Sequence, residues 1–161
     1  MKKTGTFFLS IILATSLAAC NEESTMYGDV FDYKDSYVGD NSSVVAIVKT
    51  MPGNESVDQI ALETNEKPYG IEISYKEEDT FLDEHKRGEI MVSNATYLYT
   101  LVKNVEIITF VFPEKEYQLS RQEVEEWYGQ ELSEVETEDQ LQTLMEEKLE
   151  NENAISELIP Q

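Results

Sequence analysis

Apolar residues recur along this chain at two spacings, and the helical spacing is clearest between Asp40 and Gly53. The apolar positions there follow the i, i+3, i+4, i+7 order of one helix face. They are Val44, Ile47, Val48 and Met51. Asp40, Asn41 or Ser42 can cap such a helix, and Pro52 with Gly53 stops it. The pattern predicts a short helix, after a strand or turn in residues 26–40 packed by Val30, Phe31 and Tyr33.

Strand spacing follows in residues 59–75, where apolar and polar residues alternate in two runs. The first run has Ile60 and Leu62, and the second has Ile71, Ile73 and Tyr75. Between them, Pro68 suits the second position of a turn that ends on Gly70. We expect a β-hairpin with a loop of medium length.

Helices and strands continue to alternate in the second half of the chain. The charged residues 76–89 predict a loop, residues 90–102 a helix, and residues 105–112 (VEIITFVF) the most buried strand. Residues 117–119 can pair back onto that strand.

Two capping boxes, SRQE at residues 120–123 and TEDQ at residues 137–140, predict the last helices. Gly129 ends the first helix, and the tail beyond Glu150 frays, although Ile155, Leu158 and Ile159 can dock. The pattern as a whole predicts a single small α+β domain, with a mixed or antiparallel sheet packed by three to four helices.

The N-terminus has the layout of a secretory signal peptide, with Lys2 and Lys3 ahead of an apolar run. Leu17-Ala18-Ala19-Cys20 resembles the bacterial lipobox, which implies a diacylglyceryl group on Cys20 and cleavage before it. An ordinary signal peptide with an incidental cysteine is the alternative. We predict a lipoprotein signal peptide (1–19), a lipidated tether (20–25), an α+β core domain (26–119) and acidic C-terminal helices (120–161).

The net charge limits the classes of partner that the protein can bind. The formal net charge is −21, and it becomes −23 without residues 1–19, which hold Lys2 and Lys3 but no acid. Such a surface repels nucleic acid and anionic headgroups, so we expect no nucleic acid and a body held at the membrane only through the modified cysteine. Residues 123–157 contain thirteen acids and one base, Lys148. A solvated helix face explains this run best, and a docking face for a basic protein segment is the alternative.

The sequence contains few of the residues and motifs that catalysis requires. Cys20 and His85 are the only cysteine and histidine, and neither a zinc motif nor a nucleophile elbow occurs. Asp29, Asp32 and Asp35 are three residues apart, which does not match a calcium loop. We therefore predict no catalytic residue, no metal and no cofactor. A carboxylate pair of the glycosidase kind stays open, because the chain has 33 acids.

Two turn-rich segments are the candidate binding sites, because each places a tyrosine near glycine, so that a ring and accessible backbone lie together. The candidate residues are Tyr37, Gly39, Asp40, Asn41, Pro68, Tyr69 and Gly70. Tyr69 is expected at a hairpin tip, where burial in the core is hard to arrange. Tyr37 has an alternative role, packing onto Val44 or Ile47.

Three stretches, YKDSYVGDNSSVV, LETNEKPYGIEISY and NATYLYTLVKNVEIITFVF, together resemble a bacterial family of uncharacterised extracytoplasmic domains. That family occurs in small lipoproteins of Gram-positive bacteria and appended to BlaR1-like membrane metallopeptidases. The resemblance covers roughly residues 32–112. It implies a binding or sensing module beside the membrane and supplies no activity.

We therefore expect a lipid-anchored module without catalytic activity on the extracellular face of the cell membrane, with a protein or cell-envelope partner. A carboxylate-dependent envelope hydrolase and a regulator or inhibitor of a membrane sensor are the alternatives.

Overall fold

A computed structural model describes residues 29–76, 84–150 and 154–159. These residues form one α+β domain, as predicted. The helices are α1 (Asn41–Thr50), α2 (Glu84–Leu101), α3 (Arg121–Tyr128), α4 (Glu138–Leu149) and α5 (Ala154–Leu158). The strands are β1 (Val57–Glu63), β2 (Gly70–Tyr75), β3 (Ile107–Val111) and β4 (Glu116–Ser120), and short 3-10 helices span Val30–Tyr33, Asn54–Ser56 and Leu132–Glu134.

The sheet is mixed, with strand order β1-β2-β3-β4. The two outer pairs are antiparallel and the central pair, β2 with β3, is parallel. A parallel pair needs a crossover, and α2 supplies it. In β2, β3 and β4 alternate residues are buried, so one face of the sheet carries the core. That face contains Ile71, Ile73, Tyr75, Ile108, Phe110, Tyr117 and Leu119.

Most predicted elements are confirmed. The helix at residues 41–50 buries Val44, Ile47 and Val48, and the predicted hairpin pairs Ile60 with Ile73 and Leu62 with Ile71. Residues 116–120 pair back onto β3 in the antiparallel direction, as expected. The turn around Pro68 has a cis Lys67–Pro68 peptide.

Two regions differ in detail from the sequence pattern. Residues 30–33, expected as a short strand or turn, form a 3-10 helix, which the Asp29 side chain caps by accepting from the Phe31 N–H at 2.9 Å. The prediction of a loop throughout residues 76–89 was wrong, because α2 begins at Glu84; residues 77–83 lie outside the described residues. The glycine that favours a loop, Gly88, instead faces Ile155, whose Cγ2 would lie 2.6 Å from an added Cβ.

The first capping box is complete. The Ser120 hydroxyl accepts from the Glu123 N–H, and the Glu123 carboxylate accepts from the Ser120 N–H at 2.9 Å. The helix ends at Gly129, whose φ of 77° is the left-handed conformation that glycine favours. At the second box, Thr137 accepts from the Gln140 N–H, but the Gln140 side chain accepts from the Glu136 N–H, one residue before the cap.

The acidic C-terminal helices dock on the sheet domain, which the sequence left open. Val124, Tyr128, Leu132, Ile155 and Ile159 belong to the same buried cluster as the sheet residues. Trp127 donates from its indole N–H to the Ala154 carbonyl, and Lys148 lies over the Trp127 ring. The domain boundary at residues 119 and 120 stays a prediction. Within the described residues, no helix combines the length and apolar character that crossing a bilayer requires.

Candidate functional site

Both predicted binding segments are hydrogen bonded to one short stretch of chain, residues 102–107, which leads from α2 into β3. In the first segment, Tyr37 to Asn41, the Val38 N–H donates to the Asn104 side chain at 2.8 Å. Just before this segment, the Ser36 carbonyl accepts from the Lys103 N–H at 2.8 Å. In the second, the Tyr69 carbonyl accepts from the N–H groups of Glu106 and Ile107 at 2.8 and 3.2 Å. The two segments, which are separated by 26 residues in sequence, are therefore held by the same stretch, residues 102–107, which is called the support.

Arg121 fixes this support. Its guanidinium donates to the carbonyls of Val105 (2.9 Å), Tyr99 (2.7 Å) and Val102 (2.7 Å), where α2 ends. The last carbonyls of a helix have no partner within the helix and carry partial negative charge, so a cation there is stabilising. The guanidinium also stacks on the Tyr99 ring at 4.9 Å. The stretch is therefore held rigidly at the end of the sheet.

Tyr99 also holds the support in place. It is buried, and its hydroxyl donates to the Leu119 carbonyl at 2.6 Å, which ties α2 to the end of β4. Burial raises the pKa of this phenol well above its ordinary value, so it stays neutral.

Tyr37 is the large hydrophobic side chain that the described structure leaves exposed, at 53%. This exposure favours the binding role over packing onto Val44 or Ile47, and the next residue, Val38, is fully buried in the core instead. The Asp40 carboxylate accepts from the Tyr37 N–H at 3.0 Å and makes no cap bond to α1. Asp40 therefore closes the turn that presents Tyr37, and Asn41 begins α1 beside it.

The second segment is more buried than expected. Tyr69 is half-buried and packs against the main core, so the expectation that a hairpin tip keeps it out of the core was wrong. Gly70 is buried where β2 starts, and an added Cβ would lie 2.9 Å from the Glu63 carboxylate. By contrast, nothing lies within 4 Å of a Cβ built on Gly39. Pro68 is exposed.

Two open grooves meet at Pro68 and Ile107. The larger, about 680 Å³, runs along α3 and is called the α3 groove. The smaller, about 460 Å³, lies beside the β1–β2 loop and is called the hairpin groove. The α3 groove is lined by Pro68, Glu106, Ile107, Ser120, Arg121, Gln122, Glu125, Glu126, Gly129, Gln130 and Glu131. The hairpin groove is lined by Leu62, Glu63, Asn65, Glu66, Lys67, Pro68, Ile107 and Gln118.

Carboxylates dominate the charge of these grooves. The two cations of the lining are engaged within the protein: Arg121 at the end of α2, and Lys67 in an ion pair with Glu106 at 3.5 Å. Glu125 accepts from Arg121 and from the Leu132 N–H. The surface offered to a ligand is therefore negative along α3.

Ser120 is a hydroxyl in the α3 groove with a carboxylate beside it, since it donates to Glu123 at 2.6 Å. Hydrogen bonds from the Ser120 hydroxyl and N–H lower the pKa of Glu123. A lowered pKa makes this carboxylate a weak base, so the pair has the character of a helix cap and not of an activated nucleophile.

The other candidates for chemistry lie apart from the grooves. His85 is on the first turn of α2, not in a loop, with its Nε2 3.5 Å from Glu89. In the part of the chain that the structure describes, no three His, Cys, Asp or Glu side chains are placed to hold a metal ion. Cys20 lies outside the described residues.

Residues 30–123 match the family model of a domain of unknown function, DUF4825. The chain belongs to the DUF4825 family. The expectation of an uncharacterised domain is thereby confirmed. No curated protein and no solved structure matches the chain. The DUF4825 match contains the whole sheet, α1, α2 and the first residues of α3. The wall of the α3 groove formed by residues 125–131 lies beyond it.

Sequence reasoning missed Arg121 and Glu106, which build the support and the groove. Arg121 lies inside the SRQE box, so it was interpreted only as part of a helix cap. Its positive charge could have drawn attention to it, because Arg121 is one of only two bases in residues 120–161.

Proposed function

We propose that this chain is a lipid-anchored, extracytoplasmic binding module without catalytic activity, held at the outer face of the cell membrane through Cys20. The observation that carries the binding role is the pair of open grooves that meet at Pro68, on a sheet end made rigid by Arg121. Rigid scaffolds that present loops and concave surfaces are where proteins bind their ligands.

The proposal of a lipid anchor is based on the resemblance of Leu17-Ala18-Ala19-Cys20 to the lipobox. Two acyl chains hold a protein stably at a membrane, whereas one chain holds it only marginally. The strong negative charge of the body favours a tethered arrangement, because it disfavours direct contact with anionic headgroups.

Replacing the cysteine tests the anchor. In cells fed a labelled fatty acid, the Cys20→Ser chain should lose the label and accumulate as precursor or enter the medium. The Ser24→Ala chain, altered four residues later, is the control and should be labelled normally. Normal labelling of Cys20→Ser would overturn the lipid-anchor proposal.

Crosslinking in cells tests the binding role. A photoreactive amino acid at Gln130, in the α3 groove, should capture a defined partner on the cell surface. The same probe at Glu136, which is exposed and outside the described grooves, is the matched control. No capture from Gln130, at wild-type expression, would overturn the proposal.

A further inference from the structure

We infer that the α3 groove binds a basic, extended segment of a protein partner, an inference that rests on the proposed binding function. The groove is lined by Glu106, Glu125, Glu126 and Glu131 and by one cation, Arg121. Glu106 is paired with Lys67 and Glu125 with Arg121, so Glu126 and Glu131 carry the negative charge that a ligand meets. Charge complementarity therefore selects a ligand rich in lysine or arginine.

Arg121 does not neutralise the groove. Its side chain is 19% exposed, and its guanidinium nitrogens donate to three backbone carbonyls and to Glu125. Glu126 is bonded only by a neutral amide, that of Gln122 at 2.8 Å, so its charge has no counter-ion among the recorded ion pairs of the described residues. Glu131 precedes the 3-10 helix at Leu132–Glu134, is exposed and makes no side-chain cap bond.

The shape of the site suits a peptide better than a compact cation. Pro68, Ile107 and Gly129 supply apolar or small surface between the carboxylates. Lysine and arginine place apolar stems on such surface while their charged ends reach carboxylates. The α3 groove also continues into the hairpin groove through Pro68 and Ile107, which gives an extended segment a longer track.

Other ligand classes fit less well. Nucleic acid and other polyanions are repelled by the same carboxylates. A divalent ion needs several oxygen ligands converging at one point, and no such group occurs among the described residues.

The test uses the full chain in a non-ionic detergent and a fluorescein-labelled peptide of alternating lysine and alanine. Binding is followed by anisotropy, with the glutamate–alanine peptide as the ligand control. The groove variant is Glu126→Gln with Glu131→Gln. The control variant, Glu116→Gln with Glu136→Gln, removes the same charge from positions outside the described grooves.

Each exposed ion pair changes affinity by about two- to fivefold, so the groove variant should bind the lysine peptide about fivefold or more weakly. The control variant should change affinity by less than about twofold, because distant exposed charges are screened by salt. Equal weakening by both variants, or no binding of the lysine peptide, would overturn the inference.

The cellular crosslink from Gln130 separates this inference from the proposed function. Capture that persists undiminished in the groove variant would overturn the basic-segment inference and leave the binding function standing. Capture lost in the groove variant and kept in the control variant supports both.

Discussion

Lys34 and Val135 are 101 residues apart, and the Lys34 ammonium lies 2.8 Å from the Val135 carbonyl oxygen. The same ammonium donates to the Ser133 carbonyl at 2.9 Å. Lys34 lies in the DUF4825 match and the two carbonyls lie beyond it. This side chain therefore joins the family domain to the acidic region that follows.

Lys34→Met should lower the free energy of unfolding by about 1–2 kcal/mol, because two carbonyls lose a charged donor. The control is Lys103→Met, which breaks an exposed ion pair with Asp35 and should cost about 0–1 kcal/mol. Urea denaturation of both variants measures the difference. Equal effects would mean that the Lys34 contacts add no stability.

Gly88 and Ile155 should be energetically coupled. Ile155→Ala should cost about 2–5 kcal/mol because it leaves a cavity in the core. Gly88→Ala should also destabilise, because its Cβ would lie 2.6 Å from Ile155 Cγ2, although alanine favours a helix by about 1 kcal/mol. In the double variant the alanine fills space that Ile155 vacates, so the two costs should not add. Additive costs in thermal denaturation would contradict the contact.

Replacing each of the two candidate tyrosines by alanine should change the free energy of unfolding by different amounts. Tyr69→Ala should cost about 1–2 kcal/mol, because a half-buried ring leaves the core. Tyr37→Ala should stay within about 0.5 kcal/mol, because its side chain is 53% exposed. If Tyr37 belongs to a binding surface, Tyr37→Ala should weaken partner capture while thermal unfolding stays unchanged. A large loss of stability on Tyr37→Ala would make it a structural residue.

The capping box at α3 should give an acid-dependent contribution to stability. Hydrogen bonds from Ser120 lower the pKa of Glu123, so the contribution is present above the ordinary pKa and is lost as pH falls through the folded pKa. Ser120→Ala should cost about 1 kcal/mol at neutral pH. Its difference from wild type should shrink in acid. A difference that is constant with pH would show that the Glu123 charge plays no part.

Alkaline pH should unfold the protein through its buried phenols. Burial raises the pKa of Tyr75 and Tyr128 from 10.0 to about 12. Their contribution is therefore full below pH 10 and is lost as pH rises towards 12, because the unfolded chain releases these protons first. Tyr128→Phe should reduce the slope of stability against pH in this range, because it removes one of these buried phenols. Ultraviolet absorbance of tyrosinate follows the titration.

The periodic elements were predictable because one face of each is buried. The helix at residues 41–50 and strand β2 show this, since their apolar positions match the burial in the structure. The start of α2 was not predictable in this way. Its first three residues, Glu84, His85 and Lys86, are polar and exposed, so no apolar stripe marks them. Gly88 indicates a turn unless Ile155 is known to lie against it.

The binding segments were found in sequence, but their surroundings were not. A tyrosine near glycine is a local signal, whereas the support under both segments is a set of long-range contacts. Arg121 reaches carbonyls sixteen to twenty-two residues away, and no spacing rule predicts that. The exposure of the two tyrosines also differs from the expectation. Tyr37 is exposed, because Val38 fills the core in its place, whereas Tyr69 is half-buried.

The docking of Ile155 and Ile159 has a consequence for how the chain folds. These residues are among the last six that the structure describes, and they enter the cluster that also holds Val30 and Val38 near its other end. A chain made from the N-terminus onward therefore cannot complete this cluster until Ile155 and Ile159 have been synthesised. Contacts of such long sequence separation slow folding. Until then, the part of α2 around Gly88, against which Ile155 packs, stays uncovered.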